Sequence, residues 1–184
     1  MDATLSRFIE RVHSQYFSHF PIEPTGEGDY AGRWMKYRIH TRFSTPQAGV
    51  VIAVGRFFAP TGEETDLTTL LRLCRVSERA LVLDRFVRSV HLLNLSRYDS
   101  GTSTVYLPVS MALVAGVNAN HGAVFRAIVD RLELDRPLGI LLPTALRRQP
   151  AHYRSVAAAY HANGFATAPA DAWPLAARAD RENA

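Results

Sequence analysis

The sequence predicts an α/β domain in which an antiparallel hairpin leads into parallel strands alternating with helices, with a separate helix at the N-terminus. Three observations carry this expectation. Residues 33–58 contain two strand-like stretches joined by Ser44-Thr45-Pro46-Gln47-Ala48-Gly49, the pattern of a β-hairpin. From Thr104 onward strand-like and helix-like segments alternate, which calls for right-handed crossovers and a parallel sheet. Leu138-Gly139-Ile140-Leu141-Leu142-Pro143 is an unbroken apolar run, as expected of a parallel strand buried on both faces.

Taken in order, residues 4–19 carry Leu5, Phe8, Ile9, Val12 and Tyr16 three and four apart, continuing to Phe20, which predicts an amphipathic helix. Pro21 and Pro24 stop it, and the Pro, Gly and acid content up to Gly32 reads as a connector. From Arg33 a period-two run with Trp34, Met35, Tyr37, Ile39, Thr41 and Phe43 predicts the first hairpin strand, and residues 50–58 the second. The second strand delivers a single arginine, Arg56, and breaks at Pro60 and Gly62. Asp66 can cap a helix with Leu67, Leu70, Leu71 and Cys74 inward, and Ser77 a longer one to about Arg97 with Leu83, Val87, Val90 and Asn94 in register. Residues 104–109 form a short strand in which Pro108 must sit by a bulge or lack a partner on one side. A helix beginning at Asn118 or Asn120 turns Val124, Phe125, Ile128, Val129 and Leu132 inward. After the apolar strand, a last helix spans residues 150–163 with Gly164 as its C-cap, and residues 165–168 make one more short strand. The expected division is residues 1–32 as helix and linker, 33–172 as the α/β domain and 173–184 as a flexible tail.

Bulk composition narrows the class. With 47% hydrophobic and 21% charged residues over 184 positions, the chain is suited to one soluble domain with a substantial core. No window approaches the roughly 18 unbroken apolar residues of a membrane span, and the start lacks the apolar stretch of a secretion signal. A single cysteine, Cys74, allows no internal disulfide, which is compatible with a reducing cytoplasm, the expected location, without demanding it. The net charge of +4 comes almost entirely from arginine, with Lys36 the only lysine. Because the arginines are spread along the chain instead of clustered, nucleic-acid binding, which would fall to the tandem helices over residues 66–97, is disfavoured.

Motifs for phosphate loops, dinucleotide binding, hydrolase elbows and zincins are absent, and no histidine stands at a metal-ligand spacing. The acids Glu63, Glu64 and Asp66 share one loop and read as a solvated turn more readily than as a cation site. No predicted parallel strand ends in a carboxylate, so no catalytic residue, metal ligand or cofactor is assigned.

An ordered series of landmarks over about residues 34–172 resembles the EAL-domain family of cyclic di-GMP phosphodiesterases. The strand Ile52-Ala53-Val54-Gly55-Arg56-Phe57, followed by Pro60 and Gly62, stands where the family has Glu-Ala-Leu, a spacer, Arg and an aromatic, then Pro and Gly. Leu83-Asp84-Arg85-Phe86-Val87 is similar to the family's Leu-Asp-Arg-Trp-Val and is the most specific single match. Leu107-Pro108-Val109-Ser110, Ile140-Leu141-Leu142-Pro143-Thr144 and Pro169-Ala170-Asp171-Ala172 follow where the family has Val-Asn-Leu-Ser, Leu-Glu-Ile-Thr-Glu and Leu-Asp-Asp-Phe strands.

The resemblance implies a TIM-like barrel with an antiparallel first strand, here partial, because a complete barrel needs about 250 residues. It also implies two divalent cations that generate the attacking hydroxide. Carried over residue by residue, however, the family's metal ligands become Ile52, Pro108, Leu141 and Ala170, and only Asp171 of the set remains. The expectation is therefore a C-terminally truncated, degenerate EAL-like protein without enzymatic activity. It would act by contact with a protein partner or by self-association in cyclic di-GMP-related or transcriptional signalling. The family's Arg after Glu-Ala-Leu contacts a phosphate, so Arg56 is the candidate ligand-binding residue of an alternative, a receptor for cyclic di-GMP or another nucleotide. A structural salt bridge is the competing role for Arg56.

Overall fold

The computed structural model describes residues 21–74, 77–117 and 119–173, together with Ser6. The helix expected over residues 4–19 and the tail expected over 173–184 lie outside the described residues, apart from Ser6 and Trp173. What is described is a mixed α/β fold. Strands β1 (Ile22–Pro24), β2 (Tyr30–Trp34), β3 (Tyr37–Gln47), β4 (Val50–Phe58) and β5 (Glu64–Thr65) pair antiparallel. Helices α1 (Leu67–Leu73) and α2 (Ser77–Leu95) follow, and then strand β6 (Thr104–Pro108), helices α3 (Met111–Gly116) and α4 (Ala123–Arg131), and strand β7 (Leu138–Leu142). A 3-10 turn (Thr144–Arg148), helix α5 (Pro150–Ala162) and strand β8 (Ala166–Pro169) complete the series. The eight strands form one sheet in the order β1-β2-β3-β4-β6-β7-β8, with β5 also on β4, and β4, β6, β7 and β8 are parallel.

Alternation along β4 sorts the two faces of the sheet. Val51, Ala53 and Phe57 enter the main core with Val105, Leu107, Ile140 and Leu142, against α2, α4 and α5. Val50 and Ile52 belong to a separate apolar cluster. The hairpin, the tandem helices and the alternating second half thus agree with the sequence reading. Asp66 caps α1 as expected, its carboxylate accepting from the Thr69 N–H at 2.6 Å. Pro108 resolves its conflict with the sheet by lying beyond the last β4 partner, Ile52 opposite Tyr106, while pairing with Leu141 of β7 on the other side.

Other expectations need correction. The segment up to Gly32 is not a connector. It holds β1 and most of β2, closed by a turn in which the Thr25 N–H donates to the Asp29 carbonyl at 2.7 Å. The reason is burial: Ile22, Tyr30 and Ala31 sit in the core despite their Pro- and Gly-rich surroundings, so the boundary expected at 32/33 falls inside β2. The period-two run from Arg33 is two strands, separated at Met35, which takes a left-handed φ of 53° and is exposed. Helix α3 has no counterpart in the sequence reading. It begins where the Ser110 side chain accepts from the Leu113 N–H at 3.2 Å. The next helix starts at Ala123, later than either asparagine, because Asn120 and Gly122 both adopt positive φ. The last strand is shifted by one residue, to Ala166–Pro169, and the loop after β4 contains β5.

Helix α2 is buried along almost its whole length from Leu83 to Leu95 and carries polar side chains into that environment. Asn94 shows what such a residue does. The paired register of β2 and β3 ends at Gly32 opposite Ile39. Just beyond it the Asn94 carbonyl accepts from the Tyr30 N–H at 2.7 Å, and its amide donates to the Tyr30 carbonyl at 2.9 Å, the Thr41 hydroxyl at 3.2 Å and the Val90 carbonyl at 3.0 Å. The side chain therefore continues the ladder where the strands part. His91, one turn earlier, contacts the same Thr41 hydroxyl through Nδ1 at 2.8 Å.

Two consequences can be measured. Asn94→Ala removes the hydrogen bonds to two buried backbone groups of Tyr30, at about 1–3 kcal/mol each. Urea unfolding should show a loss of roughly 3 kcal/mol, and a loss below about 1 kcal/mol would refute the clamp. His91 is fully buried, and burial, helped by Arg88, pushes its imidazole from 6.5 down to about 3. Below its ordinary value the unfolded chain takes up a proton that the folded chain refuses. This contribution to stability is complete above 6.5 and is lost as pH falls toward 3. Between about pH 7.5 and pH 5 the wild type should lose about 2 kcal/mol more than His91→Gln. Equal losses in the two proteins would show that His91 is not held neutral.

Candidate functional site

The face of the sheet turned away from α2 carries the positions singled out in the sequence. Ile52, on β4, and Leu141, on β7, are 1% and 2% exposed and share an apolar cluster with Val50 and Ala170. Val54, Tyr106, Ala168 and Trp173 pack against that cluster. Pro108 is the register partner of Leu141. Three of the four positions thus come together in one cluster, and the fourth is paired to it across the β6–β7 ladder. Tyr106 packs against this cluster, and its ring lies 4.9 Å from that of Trp173. It lies so close to Gly139 that any Cβ there would collide with the ring, which explains a glycine inside an otherwise branched, apolar strand. Asp171 is engaged elsewhere, its carboxylate accepting from Arg147 at 2.8 Å.

Toward β3 the same face becomes cationic. Across the β3–β4 ladder Arg38 faces Phe58, His40 faces Arg56 and Arg42 faces Val54. Arg38, His40, Arg42, Arg56 and Phe58, with Arg33, Lys36, the turn at Pro60 and the acids Glu27 and Asp29, line an open groove of about 930 Å³. Arg56 is bound inside the fold: its Nε and one terminal nitrogen donate to the two carboxylate oxygens of Glu64 at 2.8 and 2.7 Å. Its guanidinium also lies 4.9 Å from the centre of the Phe58 ring. The hydrogen bond from Arg56 holds the Glu64 carboxyl below its usual range, and Glu64 in turn raises Arg56. Both partners are about half exposed, so the pair contributes at most about 1 kcal/mol and acts chiefly as a clip holding β5 on β4. Burial, followed by repulsion from Arg38 and Arg56, lowers the His40 imidazole, which therefore adds little positive charge at neutral pH.

The acids of the following loop are separately employed. Glu64 is taken by Arg56, and Asp66 caps α1. Among the described residues no three His, Cys, Asp or Glu side chains come together as a metal-holding group. Nor is any described helix long and apolar enough to cross a membrane.

Sequence reasoning finds Arg56 but not the row it belongs to. Arg38, His40 and Arg42 are the complement of the apolar series Tyr37, Ile39, Thr41 and Phe43, so the period-two pattern already places them on the opposite face. It misses a second basic site entirely. On the helical side of the sheet, α2, α3, α4 and α5 enclose a cavity of about 440 Å³ lined by Arg85, Arg88, His121 and Tyr160. No periodicity announces it, because its residues come from separate helices and one loop. In comparisons with protein families, curated proteins and solved structures, nothing matches this chain.

Proposed function

We propose that this chain is a non-catalytic, degenerate EAL-like regulatory module that works by contact with another protein chain, a partner or its own copy. The observation that carries the reading is the chemistry at the strand ends. The residues that the resemblance puts at metal-ligand positions are Ile52, Pro108, Leu141 and Ala170, and three of them share one apolar cluster. Hydrocarbon side chains supply no ligand for a hard divalent cation, which needs oxygen donors. The order of elements supports the finer fold assignment as well. Parallel strands β4, β6, β7 and β8, with helices packed on one face and an antiparallel first strand, are the arrangement expected of part of a TIM-like barrel. The sheet is open between β1 and β8 among the described residues, and an open sheet offers unpaired backbone to a second chain.

A second reading is favoured by the groove beside Arg56, whose arginines and Phe58 suit a phosphate with a base stacked on an aromatic. In that reading the module binds cyclic di-GMP without cleaving it. The ligand must then compete with Glu64 for the Arg56 fork.

Solution mass and phosphodiesterase turnover test the first reading together. The expected result is an assembly larger than one chain, or a stable complex with a protein partner, and no hydrolysis of cyclic di-GMP with Mg²⁺ or Mn²⁺. A monomer that hydrolyses cyclic di-GMP would overturn it. Calorimetry with cyclic di-GMP tests the second: heat of binding that is lost in Arg56→Ala supports it, and no heat at high micromolar ligand removes it.

A further inference from the structure

We infer that the cavity among the outer helices is a binding site for a small organic phosphate monoester. It lies on the helical side of the sheet and does not depend on the family reading. Its volume of about 440 Å³ falls within the roughly 300–1,000 Å³ of small-molecule pockets and is far more than a bare phosphate fills.

The charges in it are arranged for an anion. Arg88 is 5% exposed, its Nε donates to Asp84 at 2.9 Å, and its guanidinium lies 4.9 Å from the centre of the Phe125 ring. Arg85 is half-buried, and burial followed by repulsion from Arg88 lowers its basicity. Its guanidinium makes no hydrogen bond or ion pair with any described residue. No carboxylate lines the cavity. Asp84 neutralises one guanidinium, so the uncompensated charge is that of the other together with the N-terminus of α4.

That helix runs for nine residues and opens into the cavity without a side-chain cap. Its N-cap is Gly122 at φ 95°, which offers no side chain to the terminal N–H groups, although the first of them, that of Ala123, donates to the Asn120 carbonyl at 3.2 Å. A Cβ at Gly122 would press within 2.9 Å of the Tyr160 ring. A helix N-terminus is equivalent to about half a positive charge. The sum of roughly +1.5 complements the −1.5 to −2 of a phosphate monoester better than the single charge of a carboxylate.

His121 is a second, independent observation at this cavity. It lines the cavity, is 6% exposed, and its Nδ1 has no hydrogen-bond partner. A buried polar atom left unpaired carries a cost that a phosphate oxygen could remove. The loop that presents it is fixed from behind, since the Asn163 amide donates to the His121 carbonyl at 3.1 Å and to the Asn120 side chain at 3.2 Å. The lining also includes the apolar Leu113, Val124 and Ile128, which would accommodate the body that carries the phosphate.

Phenyl phosphate and inorganic phosphate are suitable probes, added to the full chain and followed by calorimetry and by the shift in Tm. Phenyl phosphate at up to about 10 mM should bind and raise Tm, since even a Kd near 1 mM is then largely saturated. Inorganic phosphate should bind more weakly. Arg85→Ala, which removes no ion pair of the fold, should weaken phenyl phosphate at least about tenfold while leaving the unliganded Tm near that of the wild type. Arg56→Ala, on the other face of the sheet, should bind phenyl phosphate like the wild type. No binding by the wild type, unchanged binding by Arg85→Ala, or loss in Arg56→Ala alone would each overturn the assignment. So would inorganic phosphate binding as tightly as phenyl phosphate.

Discussion

The constraint on which the rest depends is the burial of α2. A helix enclosed for most of its length must meet nearly all the polar groups it carries, because an unpaired buried group, such as Nε2 of His91, costs free energy that a domain of this size can spare only a few times. Helix α2 carries five buried polar or charged side chains, Asp84, Arg88, Ser89, His91 and Asn94, and their partners define the architecture. Asn94 and His91 reach the antiparallel strands through Tyr30 and Thr41. At the other end Asp84 accepts from the Ser110 N–H at 2.8 Å and from Arg88 at 2.9 Å, which ties the exit of β6 to the helix. One helix thus holds the antiparallel and the parallel parts of the sheet in register. The Asp84–Arg88 pair is a small net gain in itself, but loss of either member would strand a buried charge at a cost of about 3–5 kcal/mol.

Much of this is legible in the sequence, and the failures have physical causes. Hydrophobic period and capping residues are local signals, and where structure is locally decided they suffice. The β3–β4 hairpin, the Asp66 cap and the buried β7 strand are of this kind. Where tertiary burial overrides composition they fail. The segment from Pro21 to Gly32 has the make-up of a linker, yet it is strand because Ile22 and Tyr30 find places in the core. Met35 matches its neighbours in hydrophobicity but stands at a turn, exposed. The site divides in the same way. The strand-end positions Ile52, Pro108 and Leu141 can be named from spacing, and they do lie on adjoining strands. The cavity of Arg85, Arg88 and His121 cannot, since only packing of separate helices brings a buried histidine beside two arginines.

The sheet's face away from α2 changes character from one end to the other, from the buried apolar cluster around Ile52 and Leu141 to the half-exposed arginine Arg56 and its groove. That gradient bears on both readings of function. The open sheet edge suits contact with protein, whereas the cationic end suits an anion, and the Arg56–Glu64 clip must open before Arg56 can serve one. The cavity on the helical side has no such internal competitor for Arg85. The two faces of one sheet therefore offer separate opportunities for recognition, with the closed core between them.

Lys36 is the sole lysine of the chain, and it lies on the lip of the cationic groove beside Tyr37. Every other basic side chain apart from the histidines is an arginine, permanently protonated and inert to acylation. Modification of a lysine ε-amine in this protein is thereby confined to one address, on the turn between β2 and β3 at the rim of the open face. A fluorophore, cross-linker or acyl group placed there marks that face and leaves the helical layer untouched.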